Sequence, residues 1–288
     1  MRHERIALFV ESFYNDAALT YLSIFFISKA AHMGYVLAIA NHKGGVGKTT
    51  SAINLGTLLA LTGRKTLILD LDLQGNATSG LGVRKEDKPG LASILLDNAP
   101  LADVVCPCYC DDLFVLPLGR RSGAIEEEIR TQPLLMERLE NILDQIAAAW
   151  EYVILDCPPA FGILPNSAIR LAQYTLIPVQ CEFFSIEGLT AMLKRLQELQ
   201  TSGSRSPRTG VVLTMYSPDD EHSAQIRTEV ERHFSSLLLK PIIPRDPILS
   251  QSTSLGIPAV IQAPESRGVR AYLELAWEIL NNERQETR

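Results

Sequence analysis

Short apolar runs alternate along this chain with longer stretches of helical period. Residues 35–40 read Tyr-Val-Leu-Ala-Ile-Ala, 66–72 read Thr-Leu-Ile-Leu-Asp-Leu-Asp, and 152–155 read Tyr-Val-Ile-Leu. Similar runs recur at 113–117, 176–181 and 210–215, and Ile242-Ile243 heads one more. Near-continuous apolar segments of this length suit strands buried on both faces of a parallel sheet. Between them, residues 52–61 are apolar with helical period. Residues 134–150 place Leu135, Leu139, Ile142, Leu143 and Ile146 on one helical face. A further helix is predicted from about Ser223 to Phe234, and Gly63-Arg64-Lys65 ends the first helix as a C-cap. Residues 75–112 read as loop-rich, with Pro89-Gly90 and Asn98-Ala99-Pro100 as turn signals. Ser202-Gly203-Ser204-Arg205-Ser206-Pro207-Arg208 is a polar loop. The alternation predicts an α/β fold, a doubly wound and mostly parallel sheet with helices on both faces.

Chemistry enters between the first strand and the first helix, at Asn41-His42-Lys43-Gly44-Gly45-Val46-Gly47-Lys48-Thr49-Thr50. Strand, glycine loop and helix form the context of a phosphate-binding loop. Glycines let backbone N–H groups turn inward around phosphate oxygens, and the helix N-terminus adds partial positive charge. Lys48 then falls on the β/γ-phosphates and the Thr49 hydroxyl on Mg²⁺. Two more strands end in acids. Asp70 and Asp72 close one, and alternation predicts both on one face beside the phosphate loop. Asp156 closes the other, just before Cys157-Pro158-Pro159, in the position that holds Mg²⁺ through water in such enzymes.

The ordinary pattern has a glycine five residues before Gly47, where this chain has His42, and a second lysine, Lys43, stands ahead of Gly44-Gly45. Lys-Gly-Gly-x-Gly-Lys-Thr-Thr resembles the deviant Walker A motif of the ParA/MinD ATPases. The segment Asp-x-Asp-x-Gln-Gly-Asn-Ala-Thr, with Leu73 where proline is usual, and the Asp-x-Pro-Pro ending at Asp156 carry the same resemblance. So do Ser185-Ile186-Glu187-Gly188-Leu189, opening a helix to about Gln200, and residues 266–276, which match the last helix. The likeness covers residues 33 to about 279, in the ParA/Soj branch.

That resemblance implies ATP hydrolysis with Mg²⁺ in an ATP-dependent homodimer. Lys43 crosses the interface to the partner's nucleotide, Asp72 positions the attacking water, and Thr49, Asp70 and Asp156 serve the metal. Lys43, Gly44, Gly45, Val46, Gly47, Lys48, Thr49 and Thr50 form the nucleotide cradle. Pro244 and Asp246 fall where relatives cradle adenine with Pro-Arg-Asn; an aspartate there can accept but not donate. No Asn-Lys-x-Asp guanine motif occurs, which places ATP ahead of GTP. In Soj-type relatives the ATP dimer binds double-stranded DNA non-specifically and a ParB-like partner stimulates hydrolysis. Arg227, Arg245, Arg267 and Arg270 are the candidates for phosphate contacts. Against them stands Ser217-Pro218-Asp219-Asp220-Glu221, where relatives often carry an arginine-bearing loop. Two readings stay open: a chromosome or plasmid partition ATPase, and a nucleotide-gated positioning or replication-regulating protein with little DNA binding and slow turnover.

Composition changes this picture little. The 288 residues are 46% hydrophobic and 21% charged, with net charge −6 and pI about 5.5, so nucleic-acid binding needs a local basic patch. Five cysteines without even spacing do not form a disulfide framework, which points to a reducing cytoplasm, with nucleoid association if DNA is bound. Cys106, Cys108 and Cys110 would share one face on a strand, but zinc sites space their ligands differently and need a fourth. They also do not fall where the nitrogenase iron-protein type places its cluster cysteines. No basic amphipathic C-terminal helix of the MinD type is present, so no membrane partner is expected. Residues 17–31 are apolar but interrupted by Ser23, Ser28 and Lys29, too short a run for a comfortable membrane span. Residues 1–32 are expected to be an extension upstream of a natural start at Met33, too short for a helix-turn-helix domain. Residues 33–288 are expected to form a single ATPase domain.

Overall fold

In the computed structural model the described residues are 34–84, 88–119, 122–183, 185–201 and 207–286. Residues 1–32, expected to be an extension, and most of the polar loop at 202–208 lie outside them. The elements follow in the order β1 (Tyr35–Ile39), α1 (Lys48–Leu61), β2 (Thr66–Asp70), α2 (Asn76–Gly80), α3 (Leu91–Asp97), α4 (Leu101–Val104), β3 (Cys106–Pro107) and β4 (Leu113–Leu116). Then come α5 (Ser122–Thr131), α6 (Pro133–Ala149), β5 (Tyr152–Asp156), α7 (Ile163–Leu171), β6 (Tyr174–Gln180) and α8 (Ser185–Thr201). The chain continues with β7 (Arg208–Tyr216), α9 (Glu221–Phe234), β8 (Leu238–Pro244), α10 (Pro247–Leu255), α11 (Ala259–Gln262) and α12 (Arg267–Glu286).

The eight strands form one sheet in the order β3-β4-β2-β5-β1-β6-β7-β8, parallel throughout except for the β3–β4 pair. Every residue of β1, β2 and β5 is buried, as a sheet covered on both faces requires. Successive side chains go to opposite layers. Val36 and Ala38 join a core with Leu69, Val153, Leu139 and Leu189, whereas Leu37 and Ile39 join one with Ile68, Ile154, Leu55 and Leu275. The doubly wound architecture expected from the alternation of runs is the observed one. β1 lies between β5 and β6, with β2 beyond β5, so the chain leaves β1 in one direction and returns to its other side later. Ligands of such sheets bind at this kind of reversal, beyond the carboxyl ends of the strands. The glycine loop is the segment after β1.

Several boundaries differ from the sequence reading. Residues 75–112 hold α2, α3, α4 and β3 rather than mostly loop. Elements of two to seven residues are too short for a periodic signal to register. Helices α5, α7, α10 and α11 also went unread. β2 stops at Asp70, so Asp72 lies in the turn beyond it, and strand alternation does not place the two acids. Cys157 and Cys181 follow their strands rather than sitting in them, yet both are buried. Helix α9 starts at Glu221 because the Asp220 carboxylate caps it, accepting from His222 N–H at 3.1 Å. Only Cys106 of the cysteine trio lies in β3. The chain turns at Cys110, whose carbonyl accepts from Leu113 N–H at 3.0 Å, so a shared strand face does not form. Burial pushes the Cys108 and Cys110 thiols up to about 12, which leaves them protonated and unreactive near neutral pH. Among the described residues no helix is long and apolar enough to cross a membrane.

The last helix is tied to the first. Helix α12 packs on α1 and β8, and the buried Tyr272 hydroxyl lies 3.0 Å from Ser51 Oγ, one turn into α1. Tyr272→Phe removes that bond without opening a cavity. It is expected to cost about 1 kcal/mol, read as a fall in melting temperature of about 2–4 °C with nucleotide binding retained.

Candidate functional site

The phosphate loop is held from three sides by bonds that no local signal announces. Asn41, 5% exposed, donates from Nδ2 to the Pro178 carbonyl of β6 at 2.8 Å, and its Oδ1 accepts from Lys43 N–H at 3.1 Å. Thr214 Oγ1 of β7 donates to the Val46 carbonyl at 2.9 Å. Gly45 and Gly47 take φ of 75° and 91°, in the left-handed region that a side chain disfavours. A Cβ on Gly44 or Gly45 would meet nothing within 4 Å, so the loop borders open space. Helix α1 begins with Gly47 as its N-cap and no side-chain cap. Its first N–H groups are therefore left to a ligand, in the manner of helix termini that bind anions.

The two lysines go to different places. Lys48 is 6% exposed and turns back over its own loop, donating from Nζ to the Lys43 carbonyl at 2.8 Å. Burial lowers its pKa, opposed by Asp156, Cys157 and Asp72. Lys43 reaches outward instead, with Nζ 3.7 Å from Glu182 Oε2 in the turn after β6.

Parallel register sets Asp70 of β2 and Ile39 of β1 on either side of Asp156 in β5. Asp156 is fully buried, and among the described residues neither of its oxygens has a hydrogen-bond partner. Burial holds it well above the usual carboxylate range, reinforced by Asp70 and Asp72, while Thr49 and Lys48 act the other way. Asp70 is raised as well, again mainly by burial. Its oxygens, however, are engaged: one accepts from Thr78 N–H at 2.8 Å and Thr78 Oγ1 at 2.7 Å, the other from Asp72 N–H at 3.2 Å. Asp70 thus holds the turn that carries Asp72. Asp72 is partly exposed, accepts from Gln74 N–H at 2.9 Å, and acts electrostatically on both Lys48 and Asp156.

The remaining expected residues are less tightly gathered. Pro244 ends β8, and the Asp246 carboxylate caps α10 through Ile248 N–H at 3.2 Å and binds Gly268 N–H of α12 at 3.0 Å. Each of its oxygens thus accepts one backbone N–H. Arg267 donates to the Arg245 carbonyl at 2.8 Å, and Arg270 follows three positions on along α12. Arg227 lies apart on α9, paired with Glu231 at 2.7 Å and set over the Tyr216 ring. Asp219, Asp220 and Glu221 are exposed at the start of that helix. Sequence reading missed Asn41, Thr78, Glu182 and Thr214. All four act through partners distant in sequence or across a turn, where no spacing rule reaches.

A glycine loop feeding a helix at the sheet's reversal, with a buried lysine and buried acids on the neighbouring strands, defines a P-loop nucleoside triphosphatase. An AAA domain family model matches residues 34–207, more than half the chain. The sporulation initiation inhibitor protein Soj of Bacillus subtilis is 37% identical over 87% of this chain and 100% of its own length. The chromosome partitioning protein ParA of Caulobacter vibrioides is 39% identical over 86% and 95%. The chain belongs to the ParA/Soj family of chromosome-partitioning ATPases. In structure it is similar to the cobyrinic acid a,c-diamide synthase of Mycobacterium smegmatis, solved with ADP and magnesium, at 27% identity and a TM-score of 0.74 over 89% of this chain and 97% of that one.

Asp156 supplies a test of the site that needs no turnover. Below an unfolded pKa of about 4 the carboxyl is protonated in both states and costs nothing. As pH rises past that value only the unfolded chain ionises freely, so stability is lost until the raised folded pKa is passed. Asp156→Asn is therefore expected to raise the melting temperature of nucleotide-free, EDTA-treated protein near neutral pH by about 2–6 °C. The gain should shrink as pH falls toward about 4, and ATP hydrolysis should be lost at every pH. A melting temperature equal to wild type at neutral pH would mean that the folded carboxyl ionises as readily as the unfolded one, and so is already paired.

Proposed function

We propose that this chain, through a single ATPase domain of residues 33–288, is a cytoplasmic switch that binds and hydrolyses ATP as a dimer. Its ATP form would hold DNA non-specifically during chromosome or plasmid partitioning. The observation that carries the reading is the division of labour between the lysines. Lys48 serves its own loop, whereas Lys43 is turned away from it, toward the partly exposed Glu182, and would serve a nucleotide bound to a second subunit.

The residues fit Mg²⁺ and a triphosphate. A fully buried carboxylate with two unpartnered oxygens, Asp156, beside the Thr49 hydroxyl is what a hydrated cation held chiefly by phosphate requires. When bound, Mg²⁺ neutralises charge on the β- and γ-phosphate oxygens. The protein's own part is positioning. N–H groups of residues 44–50 orient the phosphates, Lys48 neutralises them from within, and Asp72 orients the attacking water. Lys43 of the other subunit stabilises charge that develops in the transition state, as an arginine finger does. Hydrolysis removes the group both subunits share, and the dimer parts. A ParB-like stimulating protein fits a site that needs completion from outside.

Two substitutions are expected to act in opposite ways. Lys48→Ala should weaken ATP binding by roughly a hundredfold, since hydrogen bonds to charged groups are among the strongest available, and dimerisation should go with it. Asp72→Ala should keep binding, lower hydrolysis by about a hundredfold, and accumulate an ATP dimer on size exclusion with light scattering. Wild-type turnover in Asp72→Ala would remove the catalytic assignment.

The arginines at 245, 267 and 270 support the DNA part, and the exposed acids at 219–221 favour the second reading, a nucleotide-gated positioning or replication-regulating protein with little DNA binding. Titration of a random-sequence duplex with ATP, ADP or neither, across a salt series, separates them. Partitioning predicts ATP-dependent binding that falls steeply with salt. An ATP dimer that binds no duplex at low salt selects the second reading.

A further inference from the structure

Glu182 faces two cations at once. Its Oε2 lies 3.7 Å from Lys43 Nζ and its Oε1 lies 3.8 Å from an Arg245 guanidinium nitrogen, while Gln180 Nε2 also donates to Oε1. The turn that carries it is fixed: Glu182 N–H donates to the Gln180 carbonyl at 2.8 Å and Ser185 N–H to the Glu182 carbonyl at 3.0 Å. The Ser185 hydroxyl adds a bond to the Gln180 carbonyl. At the other end the main chain of Lys43 is held at both its polar groups, N–H by Asn41 and carbonyl by Lys48. What remains movable between two anchored backbones is the lysine side chain.

We propose that Glu182 is the positioning residue for Lys43. In the nucleotide-free chain it holds the ammonium against its own subunit, and it releases that group when a partner's nucleotide competes for it. The inference rests on the reading of Lys43 as a residue that acts across a dimer. The competition is unequal in the direction required. Lys43 and Glu182 are partly exposed, at 30% and 49% of their side-chain surface. Such a pair in water is weak, worth a fewfold change in an equilibrium at most. A triphosphate enclosed between subunits carries more charge in a less screened place. Arg245 gives the arrangement its second half, because a carboxylate that loses Lys43 keeps a cation on its other oxygen and is not left unpaired. Glu182 thereby sets a threshold for ATP-dependent assembly, and Arg245, on the loop between β8 and α10, shares the charge that sets it.

The test uses Glu182→Gln, with Glu182→Asp as the conservative variant. In nucleotide-free protein, limited amine labelling read by mass spectrometry should modify Lys43 about threefold faster in Glu182→Gln than in wild type. Glu182→Asp should restore most of the protection, and high salt should erase the difference. With ATP at low ionic strength, Glu182→Gln should reach half-dimerisation at about threefold lower nucleotide. Unchanged Lys43 labelling overturns the latch. So does a dimerisation midpoint at or above the wild-type value. Faster labelling in a protein whose wild type forms no dimer with ATP overturns the release step through failure of the dimer reading itself, and so is distinguishable from failure of the latch alone.

Discussion

A carboxylate without a partner, buried beside a buried lysine, is the constraint around which this site is arranged. Asp156 ends β5 in the middle of the sheet, where among the described residues neither oxygen has a hydrogen bond within 3.5 Å, and burial resists its ionisation while the nearby Thr49 hydroxyl favours it. Nothing in the economy of a folded core asks for that. Buried ions without complete hydrogen bonding cost stability, and proteins keep them mainly where function requires them. Lys48 shares the condition, its charge opposed by burial and eased by Asp156 and Asp72. The empty-handed site and the ligand it fits are therefore two sides of one electrostatic account.

Placing those charges is the work of the parallel sheet. Its register sets Asp70, Asp156 and the end of β1 side by side, and the reversal of chain direction around β1 opens the space into which the glycine loop projects. The loop's shape does not come from glycine alone. Asn41 ties it to β6 and Thr214 ties it to β7, so strands that contribute no phosphate ligand still fix where the ligands stand. Asp70 has a similar part. Its three bonds, to the Thr78 N–H and hydroxyl and to the Asp72 N–H, hold the turn that carries the partly exposed Asp72.

At the rim of the same edge the charges are partly or largely exposed and paired at 3.7 and 3.8 Å. Lys43, Glu182 and Arg245 form such a chain, and Arg245 continues to Arg267 through its carbonyl. Charges are thus buried at the centre of the edge and more exposed at its rim.

Much of this was legible in the sequence. Strands β1, β2, β5, β6 and β7 are runs of apolar residues, and continuous burial has no other simple expression in a chain that alternates with helices. The glycine loop and the acids at strand ends are local patterns whose chemistry depends on spacing alone, so Lys48, Thr49 and Asp156 could be named before any coordinate. Short elements escaped, because a helix of four or five residues such as α2 or α4 spans little more than one turn and shows no period. Pairings escaped for a different reason. That Asp70 binds Thr78, that Asp246 spans to Gly268, and that Lys43 turns to Glu182 rather than to its own loop depends on which strand ends lie together. The sequence determined which residues would carry the charge and the phosphate loop. The tertiary structure alone decided which of them are satisfied within the chain, because that depends on which segments the fold brings together, across a turn for Asp70 and Thr78 and between distant segments for Lys43 and Glu182.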